Sequence, residues 1–139
     1  MPSTSAVTRF LSLAGLGRWR VAALGFVFLW FLLGGIAHFA FTAIEMRIVP
    51  PAIPWPRAAV LLSGACELLG AAGLCWGRTR RAAGIGLFLL TLAVTPANLY
   101  MLQHPQLFGV PRLALLLRLP LQAALLALIA WSTAPVAAK

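Results

Sequence analysis

The stretch that decides the fold is Arg57–Trp76, RAAVLLSGACELLGAAGLCW, nearly twenty apolar residues interrupted by one carboxylate, Glu67. A helix rising ~1.5 Å per residue carries Glu67 ~15 Å inward from Arg57, the middle of a ~30 Å hydrocarbon layer. A carboxyl group at that depth costs several kcal/mol unless it is protonated, paired or turned toward a polar cavity. It therefore marks a candidate functional site inside a membrane helix.

Outward from this segment the chain keeps the same character. Of 139 residues, 62% are hydrophobic and 9% are charged, against roughly a quarter charged in soluble domains. Three further apolar runs complete a four-span pattern, at Val21–Phe41, Ala82–Leu102 and Arg112–Thr133. Each approaches the ~20 residues that a spanning helix requires. The expectation is an all-α membrane protein, one domain over 1–139, built as a four-transmembrane-helix bundle. The first run follows a basic lead but is too long for the apolar core of a signal peptide and has no clear cleavage site, so it reads as a retained helix.

The formal net charge of +9 does not point to nucleic acid, because the arginines punctuate apolar runs instead of clustering on a soluble face. They orient the bundle. Arg9, Arg18, Arg20, the GRTRR turn at 77–81 and Lys139 fall on one side, against Arg47, Arg57 and Arg112 on the other. The positive-inside rule then puts both termini in the cytoplasm. Ten arginines against one lysine suit a GC-rich bacterial gene, and the expected location is the bacterial inner membrane. Cys66 and Cys75 lie ~13 Å apart along one helix, beyond disulfide reach, and read as small packing residues. Residues 49–56, VPPAIPWP, form a stiff connection whose prolines remove backbone donors, with Trp55 suited to the membrane interface. Trp30, Trp76 and Trp131 read as anchors of the same kind.

The polar residues within the spans all fall in the middle or outer half. His38 lies near the outer end of the first span and Glu67 at the centre of the second. Thr91, Thr95 and Asn98 share one face of the third span, and Arg118 and Gln122 one face of the fourth. A cavity open to the outer side is the economical explanation. Glu67 and Arg118 are the expected ion pair, supported by Asn98, Gln122 and His38. Pro96 and Pro120 free carbonyls one turn earlier. His104 reads as a loop residue. No metal site is expected, since two histidines and one glutamate have no ligand spacing.

At these residues the chain resembles the DoxX family of small membrane proteins. The matching elements are GGIAHF, IVPPAIPWP, SGACELLGAAGL, GRTRRAAGIG, TPANLYM and LRLPLQ, in order from Gly34 to Gln122. The resemblance implies a four-helix bundle whose polar positions are His38, Glu67, Asn98, Arg118 and Gln122. It also implies membrane redox chemistry, with a quinone as ligand and a redox enzyme as partner. The paired cysteines of quinone-linked thiol oxidases are missing, so that activity does not transfer. Three functions stay open: a subunit binding a quinone-like or other small amphipathic ligand, a proton-coupled small-solute transporter that would act as a homo-oligomer, and a structural or assembly protein without ligand. No stand-alone catalytic set is visible, so an enzymatic role would be that of an oxidoreductase subunit at most.

Overall fold

The computed structural model describes residue 13 and residues 15–136. Arg9 and Lys139, used above for orientation, lie outside the described residues. Among the described residues six α-helices follow in order: α1 (Arg18–Ala40), α2 (Thr42–Glu45), α3 (Pro56–Leu74), α4 (Gly77–Ala93), α5 (Thr95–Gln103) and α6 (Arg112–Thr133). Two 3-10 turns, Met46–Ile48 and Pro105–Leu107, complete the connections. Four segments are long and apolar enough to cross a bilayer: α1, α3, α4 with α5 as Gly77–Gln103, and α6. At most 28% of any of their apolar windows is buried inside the protein. Leu29, Leu33, Leu62, Leu69, Leu89 and Leu121 all point outward. Water would not tolerate so much exposed leucine on a small bundle.

The third span is not the continuous helix expected over 82–102. It starts at Gly77 and breaks at Val94, with Pro96 in the first turn of α5. Proline has no N–H for the Leu92 carbonyl, and its ring clashes with the preceding turn, so the helix restarts instead of continuing. Proline 120, by contrast, sits inside an unbroken α6. Ahead of the proline-rich connection at 49–56 the chain does not run straight on from α1. It turns through α2, where the Thr42 hydroxyl donates to the His38 carbonyl at 2.7 Å.

One half of the bundle, toward the chain ends, is a packed core of Leu24, Val27, Phe31, Ala71, Leu74, Leu87 and Ile129. Arginines close the helix ends there. Arg20 donates through Nε to the Ser132 carbonyl at 3.2 Å and through its terminal amine to the Ala134 carbonyl. Arg80 donates to the Leu74 carbonyl at 3.1 Å, and the Thr79 hydroxyl to the Gly73 carbonyl at 2.7 Å. These side chains take orphan carbonyls at helix C-termini, where the dipole also favours a cation. The GRTRR turn is therefore not simply a solvated basic loop: Arg80 is buried, with 8% of its surface exposed.

α1 packs most extensively on α3, at a crossing where glycines replace side chains. A Cβ on Gly64 would sit 2.7 Å from the His38 Cβ, and one on Gly35 2.8 Å from Leu68 and 3.0 Å from the Gly64 carbonyl. Small residues are how helices approach closely in lipid. Gly64→Val should therefore lower thermal stability in detergent by about 1–3 kcal/mol through overpacking. Gly25→Ala, where a Cβ meets nothing within 4 Å, should leave the melting temperature unchanged or raised. Equal melting of Gly64→Val and wild type would remove this crossing as the organising contact.

Candidate functional site

The other half of the bundle is hollow. A half-open cavity of about 750 Å³ is lined by the C-terminal half of α1, the connection 45–53, α3 between Ala59 and Glu67, the Val94 break and the middle of α6. His38, Glu67, Asn98, Arg118 and Gln122 all line it. The structure thus brings these five residues to one cavity, drawn from all four spans.

Their partners differ from expectation. Glu67 does not pair with Arg118. Its Oε1 lies 3.5 Å from His38 Nε2, because the α1–α3 crossing turns both side chains into the same seam. Gly34 makes the space: a Cβ there would lie 2.6 Å from Glu67 Oε2. Neither Glu67 Oε2 nor His38 Nδ1 has a hydrogen-bond partner, and both atoms are buried.

Arg118 instead donates through Nε to Asn98 Oδ1 at 3.1 Å. Asn98 donates through Nδ2 to Gln122 Oε1 at 2.6 Å. The Gln122 amide donates in turn to the Thr95 hydroxyl at 2.6 Å and to the Thr91 carbonyl at 2.9 Å, beside the break in the third span. Thr95, on the shared polar face of the third span, belongs to this chain of bonds. Thr91 contributes its carbonyl only, since its own hydroxyl bonds the Leu87 carbonyl at 2.7 Å. The two polar groups occupy opposite walls, His38 and Glu67 on α1 and α3, Arg118, Asn98 and Gln122 on the third span and α6.

Three lining residues escaped the sequence reading. Glu45 and Ser63 both face the cavity, and Trp30, expected as an interface anchor, forms part of its wall. Glu45 had a signal: it is one of only two acidic residues in the chain. Ser63 lies one turn before Glu67 on the same helical face. His104 lies in the second connection, where Nδ1 is 3.0 Å from the Tyr100 carbonyl and its ring is 4.6 Å from that of Tyr100. Among the described residues no three His, Cys, Asp or Glu side chains converge as metal ligands. Cys66 and Cys75 are free thiols.

An all-helical bundle with four span-length helices and a polar cavity confined to one half is the class this geometry defines. The chain belongs to the family described as domain of unknown function DUF8561, whose model matches residues 27–134. That match begins within α1 and ends just beyond α6, so it takes in the later part of the first span, the other three whole and every cavity residue named above. No curated protein and no solved structure matches the chain.

His38 and Glu67 are coupled through one contact, and a double-mutant cycle measures it. His38→Ala alone leaves a buried carboxylate facing nothing and should destabilise strongly. Glu67→Gln in the same background should restore part of the loss, with a coupling of about 0.5–3 kcal/mol by thermal denaturation in detergent. Additive effects would mean the two side chains do not depend on each other.

Proposed function

We propose that this is a multi-pass protein of the bacterial inner membrane, both termini cytoplasmic, that binds a small amphipathic ligand in the cavity between its spans. The observation that carries the reading is the convergence of five polar side chains on a cavity whose apolar walls include Phe31, Ile53, Val60, Leu121 and Leu125. A volume of about 750 Å³ lies within the roughly 300–1,000 Å³ of small-molecule sites, which combine apolar walls with a few placed polar groups. Buried polar atoms without partners, Glu67 Oε2 and His38 Nδ1, are costly in an apolar interior and suit a protein that makes its remaining contacts through a bound molecule. The resemblance to DoxX proteins gives the reading its context, an accessory subunit of a membrane redox system with a quinone-like ligand. Electrons would have to come from a cofactor or a partner.

A second reading has its own observation. An imidazole 3.5 Å from a carboxylate within a span is suited to passing protons, which favours a proton-coupled small-solute transporter working as an oligomer.

Native mass spectrometry of protein purified in mild detergent tests the binding reading. Wild type should carry a bound small molecule that is lost from Arg118→Ala and Glu67→Gln when both variants still melt cooperatively. Wild type without adducts, and unable to take up amphipathic compounds, would leave the cavity without a binding role. The orientation has a separate check. A green fluorescent protein fused to the C-terminus should fluoresce and an alkaline phosphatase fused there should be inactive; the reverse result would invert the bundle.

A further inference from the structure

The chain contains two acidic residues, and both of them, Glu45 and Glu67, line the cavity. Arg118 is the arginine that lines it. Opposite charges in one low-dielectric space attract strongly, yet these do not meet. Glu67 is held against Gly34 and His38 on the α1–α3 wall, and Arg118 is tied to Asn98 on the facing wall. Asn98 and Gln122 are largely committed to each other and to the third span, so the guanidinium's terminal nitrogens are the donors left on that side.

The surroundings of Arg118 add a second constraint. It is exposed, and its neighbours along α6, Leu116, Leu117 and Leu121, are exposed as well. A guanidinium on such an apolar face, within a span, is costly unless it reaches the interface or an anionic group from outside the chain meets it. The opposite side has the complementary need, since Glu45 and Glu67 both line the cavity and only Glu67 lies against an imidazole, that of His38. One molecule carrying both charges answers both walls.

We infer that the ligand of this cavity is a zwitterion, with an ammonium group held by Glu45 and Glu67 and a phosphate or carboxylate held by Arg118. The inference rests on the cavity being a ligand site and names the charge pattern of what fills it. An ethanolamine phospholipid headgroup and a free zwitterionic solute share this chemistry.

The full-length protein in mild detergent, titrated and followed by native mass spectrometry, tests it with four probes. These are a short-chain phosphatidylethanolamine, the same lipid with its amine acetylated, O-phosphoethanolamine, and decylubiquinone as a neutral amphipath. Wild type should bind the parent lipid about tenfold or more tighter than the acetylated one, the effect of one charge-assisted contact. Glu45→Gln should erase that preference, and Arg118→Gln should weaken both lipids alike. Competition by O-phosphoethanolamine would assign the site to a free solute, and its failure to compete would assign it to the lipid. Equal binding of the two lipids to wild type overturns the inference without reference to any variant. Decylubiquinone binding in place of both lipids also overturns it while leaving the proposed function intact. A folded wild type that binds none of the four removes both.

Discussion

The crossing of α1 over α3 is the contact on which the rest of this structure depends. Gly35 and Gly64 bring the two backbones together at a distance no side chain would allow. That approach turns His38 and Glu67 toward each other and gives the carboxylate its space beside Gly34. In an apolar solvent helices gain little from hydrophobic burial against each other, so close packing carries the association. The half of the bundle that holds the cavity is thus organised by residues that have no chemistry of their own.

The two halves divide the work. Toward the chain ends, aliphatic packing around Val27, Leu87 and Ile129 is closed off by Arg20 and Arg80 on helix-terminal carbonyls. Toward the other end the helices part, the third span breaks at Val94, and a chain of hydrogen bonds from Arg118 to Thr95 replaces apolar contact. A cavity needs a rigid frame, and the packed half supplies it. The break supplies something different: the Thr91 carbonyl that Gln122 binds lies beside it. Proline here shapes the polar wall and does not merely interrupt a helix.

Much of this was legible in the residues. Span count, the fourth span's limits and the set His38, Glu67, Asn98, Arg118 and Gln122 follow from hydropathy and from counting residues inward at a fixed rise. Glu45 was missed because it falls beyond the end of the first apolar run, where charge is unremarked. The break at Val94 was foreshadowed by Pro96, but proline in a long apolar run can kink, break or be absorbed, as Pro120 is within α6. Arg80 served in the sequence only as one of the charges that orient the bundle, and nothing in a short basic turn marks it as buried. Its burial reflects the tightness of the α3–α4 hairpin, which leaves the Leu74 carbonyl without a helical partner.

What the sequence by itself determined is position along the helix axes: which segments are long and apolar enough to span, and at what depth each polar group lies. Depth is a single coordinate, and it brings residues to the same level without saying which of them face each other. Glu67 and Arg118 are close in depth, which made them the expected pair. Only the tertiary structure decided the rotation of each helix about its axis. The glycine crossing turned Glu67 toward α1 and His38, and the amide network turned Arg118 toward Asn98. Packing at small residues sets that rotation, and no count of residues along one helix contains it.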